Sequence, residues 1–119
     1  MSDTAGHDAP VAGVEQRGDA VLVRLANELD LYNAHVVREA LLEATGRNPE
    51  RLIVDLSEVE FVDSTALGVL IEARSKLANT RGFLLVAPGV ETRRALAISG
   101  LDRHFAVHES LDEALAATV

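Results

Sequence analysis

The chain has no cysteine and no tryptophan among its 119 residues, and it has only four histidines. Without cysteine, disulfides, thiol catalysis and cysteine-ligated metal sites are excluded. The histidines are scattered along the chain and provide no local ligand pair of the kind that binds zinc. We therefore expect neither a metal ion nor a cofactor.

Long apolar segments are also missing. No run of residues approaches the length of a membrane span, and residues 2–10 have neither the basic start nor the apolar stretch of a secretion signal. From these features we expect a cytoplasmic protein that does not insert into a membrane.

Positive charge is scarce. Eleven Lys and Arg residues stand against 19 Asp and Glu residues, which gives a formal net charge of −8. This charge opposes binding to a phosphate backbone, so we expect no direct nucleic-acid partner. An acidic surface can steer a domain toward a basic patch on a protein, although net charge of this kind is commonly a matter of solubility.

What the chain does contain is an alternation of short apolar runs with helical patterns. Residues 1–12 are small and polar and predict a flexible tail, and residues 13–119 predict a single domain with one core. Two short strands flanking Gly18-Asp19 predict a hairpin. Further strands are predicted at 51–56, 82–87 and 105–108, and helices at 33–45, 64–79, 91–99 and from Ser110 onward. This order indicates an α/β or α+β fold in which strands joined by a single helix run parallel.

The predicted helix from residue 64 has two sides of different character. One side carries the larger apolar residues Leu67, Leu70, Ile71 and Leu77. The other begins with small residues, namely Thr65, Ala66, Gly68 and Val69. Such a small, poorly charged side favours either close packing against a neighbouring element or a docking surface, and the sequence does not choose between them.

A hydroxyl pair, Ser64-Thr65, follows Asp63 at the point where an apolar strand segment passes into this helix. Asp, Ser and Thr are all favoured N-caps, so capping is the simplest interpretation of the triplet. A helix start also presents free N–H groups and the positive end of the dipole, and it would accommodate a phosphate on Ser64. Both interpretations hold together if one side chain caps the helix while Ser64 stays accessible.

Enzyme sites require a constellation of side chains that is not found. Ser64 lacks the G-x-S-x-G frame of a nucleophile elbow, and the glycines form neither G-x-G-x-x-G nor a P-loop. A magnesium cluster of Asp30, Asp55 and Asp63 is conceivable, but Asp55 is explained more simply as a strand-end residue. We therefore predict no enzyme, no catalytic residue and no metal site, with a Ser64 hydrolase as a weak alternative.

The sequence resembles the STAS-domain anti-sigma-factor antagonists over about residues 13–117. Residues 63–68 are similar to the phospho-acceptor pattern D-S-[ST]-G-L-G, and residues 27–30 to G-E-L-D. Residues 52–56 resemble the family's central strand, and residues 98–101 its S-G-L turn. Two residues depart from the family pattern, since Ala66 and Asn27 stand where glycines are usual.

The resemblance implies a fold and a function. The fold would be a mixed, mostly parallel sheet with helices packed mainly on one side. The unphosphorylated domain would bind an anti-sigma factor that is also a serine kinase and thereby free a sigma factor. Phosphorylation would reverse this, and a phosphoprotein phosphatase would restore the binding form. ATP and Mg²⁺ would belong to the kinase. An alternative is a non-switching STAS subunit of a signalling scaffold or of a membrane transporter complex.

The resemblance also assigns residues. Ser64 would be the phosphorylation site, and Asp63 would position its hydroxyl. The partner-binding surface would comprise Asp63, Thr65, Leu67 and Gly68 together with Glu28, Leu29 and Asp30.

Overall fold

Residues 9–119 are described by the computed structural model, and they form one five-stranded sheet with four α-helices. The strands are β1 (Val11–Arg17), β2 (Ala20–Leu29), β3 (Arg51–Val62), β4 (Phe83–Val86) and β5 (Ala106–His108). The helices are α1 (Ala34–Gly46), α2 (Ser64–Lys76), α3 (Val90–Ser99) and α4 (Leu111–Ala116). Short 3-10 turns at Thr80–Gly82 and Leu101–Arg103 precede β4 and β5.

The strand order in the sheet follows the chain, β1-β2-β3-β4-β5. The hairpin pair β1 and β2 is antiparallel, and the three other pairs are parallel. A single α-helix connects the members of each parallel pair, as the sequence pattern predicts. The mixed, mostly parallel sheet is therefore confirmed.

The helices lie mainly on one side, which is also confirmed. On that face α1, α2 and α3 cover the larger core, to which β2 and β3 contribute apolar residues such as Val23, Leu25 and Val54. On the opposite face the short helix α4 covers a smaller cluster that includes Leu22, Ile53 and Leu84. Within residues 9–119 no helix combines the length and the apolar composition needed to cross a membrane.

The first strand begins earlier than predicted. Val11 pairs with Leu25, and the Ala26 N–H donates to the Pro10 carbonyl at 2.9 Å, so the chain is already held to the sheet before residue 13. The boundary predicted between residues 12 and 13 is therefore placed too late for the start of β1. The remainder of the predicted tail, residues 1–8, lies outside the described residues.

The third strand is twice as long as predicted. Its pairing with β2 shifts twice, between Arg24 and Ala26 and between Asn27 and Glu28, because β3 advances one residue more than β2 at each step. The Asp55 Oδ1 atom accepts from the Ser57 N–H at 2.9 Å near the first shift. Such bulges break the period-two alternation on which strand prediction depends. They also carry β3 on until it ends beside the last residue of β2.

Helix α2 differs from its prediction in length and orientation. It ends at Lys76 instead of residue 79, and Leu77 follows in an extended conformation with a buried side chain. Ala66 and Val69 are buried, whereas Ile71 is 39% exposed, so the packed face is rotated from the predicted one. The small side of the helix is thus divided, with Ala66 and Val69 in the core and Thr65 and Gly68 exposed.

The predicted helix ends are mostly confirmed. Gly100 follows α3 with a left-handed φ of 79°, and Ser110 caps α4 by accepting from the Glu113 N–H. Glu113 reaches back to the Glu109 N–H instead of that of Ser110, so the predicted capping box is shifted by one residue. Asn33 precedes α1, but its side chain makes no capping hydrogen bond.

The sheet is closely packed where Gly82 leads into β4. A β-carbon at this position would overlap the backbone carbonyl oxygen of Glu50, and backbone cannot move aside as a side chain can. We expect Gly82→Ala to lower the free energy of unfolding by about 1–3 kcal/mol, the usual cost of overpacking. Gly68→Ala is the matched control, since a β-carbon in the middle of α2 would contact nothing within 4 Å. That variant should be neutral or more stable by up to about 1 kcal/mol. Equal effects of the two changes in urea denaturation would contradict the steric explanation.

Candidate functional site

Ser64 is the first residue of α2, and Asp63 caps the helix. Asp63 is extended, with φ −103° and ψ 179°, and its Oδ1 atom accepts from the Ala66 N–H at 3.0 Å. Ser64 is exposed, and its hydroxyl makes no hydrogen bond to any described residue. The capping function therefore rests on the aspartate, and the serine hydroxyl is accessible.

Asp63 also joins two loops. Its Oδ2 atom accepts from the Leu31 N–H at 3.0 Å, and its own N–H donates to the Leu29 carbonyl at 3.0 Å. The end of β3 is thereby held against the segment that follows β2. One carboxylate consequently positions both the start of α2 and the connection between β2 and α1.

That connection has its own hydrogen-bond network. The Asp30 Oδ1 atom accepts from the N–H groups of Tyr32 and Asn33, at 3.0 and 3.2 Å. The Asn33 side chain returns two bonds, accepting from the Asp30 N–H at 2.9 Å and donating to the Glu28 carbonyl at 2.8 Å. Asn33 thus stabilises the loop instead of capping α1. These bonds fix the shape of the backbone from Glu28 to Asn33, and the side chains of Glu28, Leu31 and Tyr32 are exposed.

The two departures from the family pattern have structural explanations. Asn27 adopts a left-handed φ of 66°, a conformation that glycine takes freely and asparagine tolerates better than most residues. Its side-chain amide donates to the Ala9 carbonyl at 2.9 Å. Ala66 is 1% exposed, so its methyl group packs in the core. Neither substitution prevents Ser64 from being exposed at the helix start.

The structure separates the predicted site residues into two groups. Ser64, Thr65, Gly68 and Glu28 are exposed, and Asp63 and Asp30 are half-buried. Leu29 and Leu67 are 0% and 7% exposed, because both side chains belong to the larger core. These two leucines differ from the expectation of surface contact residues. Their packing in the core anchors the exposed residues of the site.

An apolar group beside Ser64 was not predicted. Leu31, Tyr32 and Phe61 are 60%, 80% and 48% exposed, and we call these three residues the apolar rim. The Leu31 N–H donates to Asp63, and Phe61 lies next to Glu28 in the pairing of β2 with β3. Single apolar residues in a loop or at a strand end have no periodicity, so sequence patterns did not single them out.

An ion pair links α1 and α2, the two helices that follow the connections described above. Arg38 of α1 and Glu72 of α2 form a two-bond ion pair, with both distances at 2.8 Å. Hydrogen bonding to Arg38 lowers the pKa of Glu72, and the same bond raises the pKa of Arg38. Exposed pairs of this kind contribute little to stability, but the planar guanidinium restricts how the two helices lie against each other. Among the described residues, no three acidic or histidine side chains are grouped so as to hold a metal ion.

Comparison with known proteins agrees with this geometry. A family model described as STAS domain matches residues 12–114. The anti-sigma-F factor antagonist RsfB of Mycobacterium tuberculosis is 37% identical over 105 residues, which cover 88% of this chain and 85% of that protein. The anti-sigma-B factor antagonist of Bacillus subtilis is 32% identical over 90 residues, covering 74% of this chain and 81% of that protein.

A solved structure shares the architecture. An anti-sigma factor antagonist from Mycobacterium paratuberculosis superimposes with a TM-score of 0.81 and 35% identity, over 87% of this chain and 88% of that one. These relatives are regulatory proteins by name, in agreement with the prediction that the chain is not an enzyme. The match to the family model over most of the chain, the shared sheet and the Asp63-Ser64-Thr65 helix start lead to one conclusion: this chain belongs to the STAS domain family.

Proposed function

We propose that this protein is a cytoplasmic anti-sigma-factor antagonist controlled by phosphorylation of Ser64. In its unphosphorylated form it binds an anti-sigma factor that is also a serine kinase, and a sigma factor is released. The observation that supports the proposal is that Asp63, and not Ser64, caps the start of α2. Asp63 satisfies the helix cap, which leaves the Ser64 hydroxyl exposed and unbonded to any described residue.

The partner-binding surface is formed by the exposed residues around this hydroxyl. It comprises Thr65 and Gly68 on α2, Glu28 near the end of β2, the half-buried Asp30 on the connection to α1, and the apolar rim. Apolar and aromatic side chains contribute most of the binding energy in protein interfaces, and the polar surroundings contribute specificity. A rigid loop lowers the cost of ordering this surface on binding, which supports a docking role for the Glu28–Asn33 segment.

Phosphorylation acts on this surface through charge. A phosphoserine brings about −1.5 to −2 charges close to the Asp63 carboxylate and beside the apolar rim. Covering such a group with a partner removes its hydration, and a closely packed interface without a facing cation does not replace it. The helix dipole offsets part of the charge within the domain itself. The fold should therefore tolerate the phosphate while the complex does not.

The site of phosphate transfer is the first test. Incubation with the cognate anti-sigma kinase, ATP and Mg²⁺ is expected to add one phosphate to Ser64, located by intact-mass measurement and phosphopeptide mapping. Thr65 offers an internal control because it is the next residue and is also exposed. Ser64→Ala should abolish labelling, and Thr65→Ala should retain it. Label found only on Thr65 would overturn the assignment.

A second test separates the switch from a structural role. Ser64→Ala should change the free energy of unfolding by less than about 0.5 kcal/mol and should keep partner binding, because Asp63 remains as the cap. Asp63→Ala is the comparison variant, and loss of its cap should cost about 0.5–2 kcal/mol. Ser64→Asp should weaken partner binding with an unchanged circular-dichroism spectrum, although a carboxylate mimics a phosphate only in part. A destabilised alanine variant together with a fully binding aspartate variant would refute the proposal.

The apolar rim makes its own prediction. Tyr32→Ser should reduce affinity for the anti-sigma partner by about tenfold or more, as truncation of a central interface aromatic commonly does. Ile98→Ser is the matched control, since Ile98 on α3 is also 80% exposed and lies on a different helix from the site. Both variants should keep the melting temperature of the parent protein. Equal affinity losses for the two variants, measured by calorimetry, would remove the rim from the interface.

A further inference from the structure

A pocket of about 460 Å³ lies near the end of α2, the helix that begins at Ser64. It is formed by the end of α2, the starts of β4 and β5, and the segment that follows α4. Its polar lining consists of Arg74, Arg81, His104, His108, Thr80 and Thr118. No acidic residue is among the described residues that line it.

This concentration of basic groups contrasts with the rest of the chain. The net charge is −8, and the arginines elsewhere are mostly paired with a nearby Glu, for example Arg38 with Glu72 and Arg93 with Glu109. Arg74 and Arg81 form no ion pair with any described residue. Two arginines that form no ion pair with a described residue line the same pocket, so its local potential is positive in an acidic protein and would stabilise a bound anion.

The helix dipole explains only part of this arrangement. Arg74 lies in the last turn of α2, where a positive side chain is favoured by the negative end of the helix. The same reasoning does not apply to Arg81, which belongs to the 3-10 turn before β4. Nor does it apply to His104 and His108, which precede and end the edge strand β5. Four Arg and His residues from separate segments thus line the same pocket.

We propose that this pocket binds a small organic phosphate. The guanidinium fork matches the geometry of phosphate oxygens and donates two bonds at once, and the Thr80 and Thr118 hydroxyls add neutral donors. The volume lies within the range of small-molecule sites and exceeds the needs of an inorganic ion, so the ligand carries an organic body. The assigned roles are phosphate binding for Arg74 and Arg81 and hydrogen bonding for the two threonines.

The pocket is distinct from the proposed switch. Arg74 lies ten positions after Ser64 on α2, which corresponds to about 15 Å at 1.5 Å per residue. The ligand therefore does not occupy the helix start, and the proposal does not depend on the one made for Ser64. A negative result for the pocket would not contradict the Ser64 proposal, and the reverse also holds.

Phenyl phosphate is a suitable probe, titrated into the ¹⁵N-labelled full chain and followed by NMR. Saturable shifts are expected at the amides of Thr80, Arg81 and Ala106, with phenol and inorganic phosphate each binding at least about fivefold more weakly, since each lacks one half of the ligand. The probe should leave the amides of Ser64 and Thr65 unchanged. No saturation, equally tight binding of inorganic phosphate, or shifts centred on Ser64 would overturn the proposal.

Substitutions identify the residues that bind the phosphate. Arg74→Gln and Arg81→Gln should each weaken binding about fivefold or more, and Arg81→Lys should fall between the parent and Arg81→Gln because it keeps the charge without the fork. Arg94→Gln is the control, since it removes the same charge from α3, where Arg94 is exposed and pairs with Glu91. Circular dichroism confirms folding of each variant. An equal loss for Arg94→Gln would show that net charge alone attracts the probe, and the pocket would be excluded.

Discussion

The Asp63 carboxylate is the interaction on which the rest of the site depends. One oxygen accepts from the Ala66 N–H and begins α2, and the other accepts from the Leu31 N–H and holds the connection to α1. Without the carboxylate, each of these N–H groups would lose a charge-assisted hydrogen bond. Because Asp63 makes both contacts, the Ser64 hydroxyl is not needed to cap α2 or to hold the loop. Ser64 can therefore be exposed at the helix start.

The aspartate reaches this position because of the irregular course of β3. Two register shifts let β3 run past the regular part of its pairing with β2 and end beside Leu29. The left-handed backbone at Asn27 adjusts β2 at the same level of the sheet. The side chains of Leu29 and Leu67 are packed in the core and anchor the two loops to the sheet and to α2. The exposed surface is accordingly rigid, although it is built from connections between regular elements.

The parts of the structure that were predictable are those governed by local rules. The hairpin at Gly18, the cap before α2 and the left-handed Gly100 each depend on the preferences of one or two residues. The length of β3 was not predictable, because bulges are set by pairing with a distant strand and leave no alternation to detect. Motif resemblance located Ser64 and its neighbours but could not separate buried leucines from exposed ones. For Leu67 that separation depends on the rotation of α2, and for Leu29 on which face of β2 meets the core, and the packing of the whole core decides both.

The proposed switch, in a chain with a net charge of −8, would depend on local charge and not on total charge. Exposed charges at physiological ionic strength are screened beyond about 8 Å, so only nearby acidic residues would influence a partner bound at the start of α2. In the proposed complex the adjacent Asp63 carboxylate and the apolar rim, from which a partner would exclude water, have the larger effect. A phosphate placed between them would meet both a like charge and a loss of hydration. Its effect on binding would therefore exceed what an increase of one or two units in the net charge suggests.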